Sequence, residues 1–185
     1  MKNVAVTLPL SLALEPENAN ALCPYEDGLK GECPAASAIG TAKAVTPLLN
    51  QPLTGAVYLV QGMRKTKTGM VKSLPTLFIP LRGELAIDLR ATTNVHKDRL
   101  VTTFSNIPDA AISQFDLQLK SGKGGILAAT ENVCAARQVA DYAIDGQNGK
   151  PSDGATALST PCPKAKKASK ATKKAGKAKA ARKRR

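Results

Sequence analysis

Two short segments of alternating polar and apolar residues, separated by a turn, constrain the fold of this chain more than any other feature. Residues 114–120 alternate without exception, and residues 99–105 alternate more loosely. A period of two is typical of a β-strand with one buried and one solvated face. Asn106, Pro108 and Asp109 between the segments favour a turn. The pattern therefore predicts two half-buried strands whose inward side chains form the centre of the core: Leu100, Phe104, Phe115, Leu117 and Leu119.

Proline or glycine marks nearly every boundary of the other apolar segments, which predict further short strands. We expect these strands at residues 3–8, 38–45, 54–61, 77–79, 84–90, 139–144 and 155–160. Residues 54–61 have little polar face and are predicted to form a central strand covered on both sides. The basic, glycine-bounded residues 62–69 predict a hairpin tip, Pro80 is expected to end a strand, and residues 92–98 are expected to turn the chain.

The number and length of these strands determine the predicted fold class. Eight or nine short strands with no convincing amphipathic helix are typical of an antiparallel sandwich or barrel. We therefore predict an all-β fold, an antiparallel β-sandwich that is Ig-like or related, over residues 1–162. A body of this length is long enough to bury one hydrophobic core.

The positive charge of the chain is concentrated in residues 163–185. The formal net charge is +13, from 27 basic and 14 acidic residues. Twelve of the basic residues and none of the acidic residues fall in this segment, so residues 1–162 are nearly neutral. The segment contains only Pro, Lys, Ala, Ser, Thr, Gly and Arg, which offer too little apolar surface to offset the entropy of ordering. It is predicted to be a disordered polycationic tail.

This tail is the predicted polyanion-binding site. No aromatic residue is interleaved with its cations to stack on bases, so binding to nucleic acid is expected to be non-specific. Charge alone does not distinguish DNA from a cell-wall polymer, an anionic polysaccharide or an acidic lipid. A solubilising tail with no dedicated partner is the remaining alternative. The predicted binding residues are Lys164, Lys166, Lys167, Lys170, Lys173, Lys174, Lys177, Lys179, Arg182, Lys183, Arg184 and Arg185.

Four cysteines, Cys23, Cys33, Cys134 and Cys162, fall into two groups that are each close in sequence. Without tight Cys-x-x-Cys pairs or a nearby histidine, their spacing favours disulfides over a zinc site, with free buried thiols as the alternative. Of the three possible pairings, 23 with 33 and 134 with 162 closes the shortest loops, which stabilise the fold by roughly 3 and 3.5 kcal/mol in the chain-entropy model. Disulfides indicate a compartment outside the reducing cytosol.

No group of residues forms a recognisable catalytic or metal-binding motif. His96 is the single histidine, and no Gly-x-Ser-x-Gly element accompanies it. Glu84 and Asp88 fall at outward positions of a predicted strand, where solvent exposure explains them. Residues 121–125 lack the spacing of a phosphate-binding loop, and the carboxylates of residues 145–154 lie too far apart for an EF-hand. We therefore predict a non-enzymatic chain with no catalytic residue, cofactor or metal.

The N-terminal residues bear on localisation. Met1, Lys2 and Asn3 run straight into a predicted strand, without the apolar region or cleavage site of a signal peptide. No run of about 18 apolar residues could form a transmembrane helix. Either the chain is cytosolic, or it is the end of a longer secreted protein, and the strand that begins almost at residue 1 favours the second interpretation.

A series of short motifs extends through residues 3–162: Val4-x-Val6-x-Leu8-Pro9, Cys33-Pro34-x-x-Ser37-x-Ile39-Gly40-Thr41-Ala42, Pro52-Leu53-x-Gly55-x-Val57-Tyr58-Leu59, Arg99-Leu100-x-Thr102-Thr103-Phe104-x-x-Ile107-Pro108-Asp109 and Gly146-Gln147-Asn148-Gly149-Lys150. Their order resembles repeats in large secreted, uncharacterised actinobacterial surface proteins. The resemblance includes both cysteine groups and implies an extracellular β-sandwich module with no active-site residue. Separately, the tail resembles the Lys/Ala-rich tails of linker-histone-like proteins.

Two functions follow from these observations. The first is a non-enzymatic secreted or cell-envelope module, structural or binding, whose tail associates with an anionic surface polymer. The alternative is a non-specific nucleic-acid-binding protein that acts through the tail and keeps its cysteines reduced.

Overall fold

The computed structural model describes residues 1–19 and 21–162 of the chain. Residues 163–185, on which the prediction of a disordered polyanion-binding tail rests, lie outside the described residues. The strands are β1 (Asn3–Thr7), β2 (Leu12–Leu14), β3 (Ala38–Val45), β4 (Leu53–Thr66), β5 (Gly69–Arg82), β6 (Ala86–His96), β7 (Arg99–Phe104), β8 (Gln114–Leu119), β9 (Leu127–Ala129), β10 (Val139–Asp145) and β11 (Pro151–Ala157). One short α-helix, α1, spans Tyr25–Lys30, and 3-10 turns span Pro16–Ala19, Ala35–Ser37 and Gly122–Gly124.

Nine of the strands form one antiparallel sheet in the order β11-β10-β1-β7-β6-β5-β4-β3-β8. The two short strands β2 and β9 form a separate sheet. The predicted all-β antiparallel fold is therefore confirmed, with more strands in the described residues than the eight or nine expected. The two layers of the core belong to one continuous sheet that curls on itself.

The curl brings together strands that are far apart in the sheet order. β7 and β8 are separated by four intervening strands, yet the rings of Phe104 and Phe115 meet edge to face with centroids 6.5 Å apart. The segment of residues 99–120 thus forms two strands, as predicted, that face each other across the interior. Between the layers lie buried aliphatic side chains of β3, β4, β5 and β6, including Leu53, Val57 and Ile79.

The outer face of β4 and β5 carries a second, smaller core. Cys23, Val60 and Phe78 are buried there, with Tyr58 and Cys33 packed around them. The loop that contains α1 covers this face, and α1 ends at Gly31, whose φ of 82° is a left-handed conformation that glycine adopts without a steric cost. Since the main core covers its other face, β4 is central and covered on both sides, as predicted.

Proline does not end the strand in which it was expected to do so. β5 begins at Gly69, not at residue 77, and continues through Pro80 to Arg82. β4 pairs with β5 at Thr54–Arg82 and again from Tyr58–Phe78. Between these two points no residue of β4 pairs with Pro80. Gly55 provides the space for this arrangement, because a Cβ atom at that position would lie 2.1 Å from the Pro80 carbonyl oxygen.

The predicted turn over residues 92–98 is mostly strand. β6 continues to His96, and only Lys97 and Asp98 connect it to β7. Both connecting residues have positive φ, 50° and 60°, as a two-residue type I′ hairpin requires. The sequence offers no glycine or asparagine at these two positions, which is why the tight hairpin was not predicted. The last predicted strand, residues 155–160, is also shifted: β11 begins earlier, at Pro151, and is an edge strand as expected.

Residues that prefer positive φ at the two positions between β6 and β7 are expected to stabilise the fold. The double substitution Lys97→Asn and Asp98→Gly should raise the free energy of unfolding by about 1 kcal/mol, because both new residues adopt positive φ more readily. Chemical denaturation measures the change. A charge-matched control, Lys97→Gln with Asp98→Ala, should give no gain, and equal stabilisation by the two variants would contradict the conformational explanation.

Candidate functional sites: a basic hairpin arm and an internal cavity

The predicted site residues in the described part of the chain are the cysteines. Cys23 pairs with Cys33 and Cys134 pairs with Cys162, with S–S distances of 2.00 and 2.04 Å. This is the local pairing that closes the shortest loops, and no free cysteine is left in residues 1–19 and 21–162. The twelve predicted polyanion-binding cations lie outside the described residues.

The ends of β4 and β5 form a two-stranded ribbon that extends beyond its neighbours in the sheet. β3 pairs with β4 only as far as Tyr58, and β6 pairs with β5 only from Leu77 onward. Residues 62–74, which we call the hairpin arm, pair only with each other through the register Gly62–Ser73 to Thr66–Gly69. Most of the side chains in the arm are exposed, and Met70 exposes 48% of its surface.

The hairpin arm is basic and contains no acidic residue. Its cations are Arg64, Lys65, Lys67 and Lys72, and no Asp or Glu occurs between Glu32 and Glu84. In three successive cross-strand pairs a cation lies opposite an apolar residue: Met63–Lys72, Arg64–Val71 and Lys65–Met70. Because successive pairs point to opposite faces of a ribbon, positive charge is present on both faces of the arm.

The arm cations have no internal partner among the described residues, unlike three arginines of the neighbouring strands. Arg82 and Arg99 form ion pairs with Asp88 and Asp141. Arg90 donates to the carbonyl oxygens of Gly28 and Leu29 and lies 4.5 Å above the ring of Phe78. In contrast, the four arm cations form no ion pair or side-chain hydrogen bond within the part of the chain that the structure describes. Their charge is available to an external anion.

A second candidate site is an apolar cavity inside the curled sheet. One lobe of about 160 Å³ lies against the small β2–β9 sheet and is lined by residues such as Leu14, Leu59 and Ile126. A second lobe of about 290 Å³ lies between β1 and β8 and is lined only by apolar residues, such as Val4 and Phe115. The two lobes share three wall residues, Val6, Phe104 and Leu117.

Two threonines are the only polar residues in the cavity lining. Thr93 of β6 and Thr102 of β7 form a cross-strand pair whose side chains face the first lobe. Thr93 is 8% exposed, and neither side chain forms a hydrogen bond within the described residues. In the same part of the chain, no fully inaccessible side-chain oxygen or nitrogen lacks a partner. The Thr93 hydroxyl therefore remains accessible from the cavity.

The residues considered for catalysis lie apart from both sites. His96 is exposed at the end of β6 and forms no side-chain hydrogen bond within the described residues. Asp88 is on β6 and pairs with Arg82. Glu84 is not on a strand, contrary to expectation, and accepts hydrogen bonds from the backbone N–H groups of Asn50 and Gln51. These contacts give the carboxylates structural roles.

The glycine-rich segments form turns. Residues 122–124 form a 3-10 turn after β8, and residues 146–150 form the turn between β10 and β11. No group of three or more His, Cys, Asp or Glu side chains within residues 1–19 and 21–162 is close enough to hold a metal ion.

Comparisons with known proteins do not identify a function, so the hairpin arm and the cavity are the two candidate functional sites. None of the helices in the described residues is long and apolar enough to cross a membrane. Searches of protein-family models, curated protein sequences and solved structures find no match to this chain.

Proposed function

We propose that this protein is a non-enzymatic secreted or cell-envelope module that binds an anionic surface polymer through its hairpin arm and its cationic tail. The observation that carries the proposal is the arm itself. It holds four cations without an internal partner, contains no acid, and extends beyond the neighbouring strands. Together the arm and residues 163–185 account for sixteen of the 27 basic residues.

The distribution of charge on the arm supports a flexible polymer as the partner. Lys65 and Lys72 are on one face of the ribbon and Arg64 is on the other. A polymer chain can contact both faces, and a partner with regularly spaced anions releases counterions at each contact. The apolar members of the cross-strand pairs, such as Met70 and Val71, lie opposite the cations in the register, and the aliphatic stems of Lys and Arg commonly cover such apolar surface.

The two disulfides support an oxidising compartment. Both cysteine pairs are bonded, and disulfides persist mainly in secreted and envelope proteins. The resemblance to repeats of secreted actinobacterial surface proteins supports the same localisation and suggests that the chain belongs to a longer multi-repeat protein.

A second candidate function is non-specific binding of nucleic acid by the same cations. The specific observation in its favour is the shape of the arm, because a two-stranded β-ribbon fits the major groove of DNA. The state of the cysteines discriminates between the two candidates. Protein isolated from its native host should contain no alkylatable thiol if it is an envelope module, whereas four free thiols would support the cytosolic nucleic-acid binder.

Neutralisation of the arm in the full chain tests the proposed function. The variant Arg64→Gln, Lys65→Gln, Lys67→Gln and Lys72→Gln should bind heparin, used as a model anionic polysaccharide, more weakly at low salt. On duplex DNA its log–log salt slope should be smaller by about 3 to 4 units, since each engaged cation contributes about 0.9. Fluorescence anisotropy over a salt series measures both effects.

The matched control removes four cations elsewhere on the body. Lys2, Lys30, Lys43 and Lys150 are exposed and scattered, so their replacement by Gln lowers the net charge equally. If this control weakens heparin binding as much as the arm variant does, net charge and not the arm is responsible. A chain that ends at Cys162 tests the tail: unchanged binding by that chain would exclude the tail from the polymer contact.

A further inference from the structure

We propose that the internal cavity binds a single-chain amphiphile with an uncharged, hydrogen-bonding head, such as a fatty alcohol or a fatty ester. In this arrangement the head group bonds to Thr93 and Thr102, and the alkyl chain occupies the lobe between β1 and β8. The inference rests on the cavity alone and does not depend on the proposed polymer binding.

The shape of the cavity fits a narrow chain. Its two lobes follow the inward row of β8, since Phe115 lines the second lobe, Leu119 lines the first, and Leu117 lines both. The volumes of about 160 and 290 Å³ are substantial. An apolar protein cavity of about 150 Å³ already binds benzene, and sites for larger ligands begin near 300 Å³.

The cavity opens at the free edge of the sheet. β8 is an edge strand, bonded to β3 on one side only. Its inward residue Leu117 is 37% exposed, although other inward residues of the sheet, such as Leu59 of β4 and Ile79 of β5, are buried. An alkyl chain inserted between β1 and β8 would cover Leu117 and remove this apolar surface from water.

The threonine pair determines the chemistry of the head group. Two adjacent hydroxyls in an otherwise apolar wall can donate to and accept from one polar group. No charged residue lines the lobe that holds the threonines, so a carboxylate bonded to them would be buried without a counter-ion at a large cost. The site therefore favours a neutral hydroxyl or carbonyl head over a fatty acid anion.

The fold itself has no need for these hydroxyls. Valine has nearly the shape of threonine, prefers β-strands, and would leave no hydroxyl without a partner inside the sheet. A pair of unpartnered hydroxyls is a departure from local packing rules, and such departures are typical of functional sites.

Titration of the full chain with decanol tests this proposal. Displacement of the fluorescent apolar probe N-phenylnaphthylamine gives the affinity, and methyl NMR shifts at Val6 and Leu117 locate the ligand. We expect saturable binding that is weaker for decanoate at neutral pH. The variant Thr93→Val with Thr102→Val should bind decanol about tenfold more weakly, because two hydrogen bonds are lost. It should also melt at a higher temperature in the absence of ligand.

The chain offers a closely matched control. Thr92 and Thr103 form the adjacent pair on the same two strands and point to the outer face, so Thr92→Val with Thr103→Val should leave decanol binding unchanged. A second variant, Leu117→Phe, adds bulk at a residue that lines both lobes and should also weaken binding. The proposal is overturned if the native chain shows no saturable binding, or if the inward and outward threonine variants bind decanol equally well.

Discussion

Replacement of Phe78 by Ala is expected to lower the free energy of unfolding by about 3–5 kcal/mol, the largest loss for any single core truncation in this fold. Phe78 is completely buried in the outer core, beneath the Cys23–Cys33 loop. Its ring stacks on Tyr58 with centroids 6.3 Å apart and receives Arg90 on one face. Truncation opens a cavity and removes the contact that holds Arg90 against the end of α1.

Phe115→Ala is the matched control for this prediction. The alternation of residues 114–120 alone indicates full burial of Phe115 and an equal cost. In the structure Phe115 points inward, as predicted, but it is only half-buried because it lines the open cavity beside the edge of β8. The expected loss is therefore smaller, about 1–2 kcal/mol. Urea denaturation of both variants at equal protein concentration measures the difference, and a larger loss for Phe115→Ala would mean that the β8 edge is closed in solution.

The sequence predicts most accurately those strands whose residues all favour the same structure. β3 is found at its predicted residues 38–45, and β8 falls within residues 114–120, whose alternation is regular. The prediction fails where a strand-breaking residue lies among strand-forming residues. Pro80 was expected to end a strand, but the β-branched and aromatic residues around it continue the strand once Gly55 accommodates the proline.

Long-range arrangement is the part of the fold that the sequence pattern does not contain. Periodicity shows that β7 and β8 each bury one face, but not that four strands separate them in the sheet or that Phe104 meets Phe115 across the interior. The length of the hairpin arm is likewise not contained in the sequence pattern. The glycine-bounded basic residues 62–69 indicate a hairpin tip, whereas the length of the ribbon depends on where β3 and β6 stop pairing.

The candidate sites also differ in how far the sequence predicts them. The local disulfide pairing was favoured by loop length in the sequence, and the structure confirms it. The sequence predicts the threonine pair only in part: the period of two that turns Leu100 and Phe104 inward also turns Thr102 inward. Thr93 has no such signal, because residues 92–98 are expected to turn the chain. The burial of Thr93 and the register of β6, which places Thr93 opposite Thr102, show that the two face the interior together.

The Cys23–Cys33 disulfide is expected to stabilise the fold more than the Cys134–Cys162 disulfide, although it closes the shorter loop. By chain entropy alone, the longer Cys134–Cys162 loop should contribute slightly more, roughly 3.5 against 3 kcal/mol. Burial reverses this order. Cys23 is completely buried, whereas Cys134 is exposed.

Serine at position 23 would add the cost of a buried hydroxyl, about 1–3 kcal/mol, to the lost cross-link. The double variant Cys23→Ser and Cys33→Ser should therefore lose about 4–6 kcal/mol, and Cys134→Ser with Cys162→Ser about 3.5 kcal/mol. The main chain of Cys23 adds to the difference, because its N–H donates to the Leu59 carbonyl and its carbonyl accepts from the Gln61 N–H. This contact attaches the loop over Phe78 to the edge of β4 that leads into the hairpin arm.

Urea denaturation of the two double variants under non-reducing conditions tests the order. An equal or larger loss for the 134–162 variant would show that loop length decides the contribution and that the outer core is loosely packed. The heparin affinity of the 23–33 variant, measured where it is still folded, gives a second result. Loss of the loop exposes the outer face of β4 and β5 at the base of the arm, so the arm cations are less firmly positioned and heparin binding should weaken, whereas the 134–162 variant should bind as the native chain does.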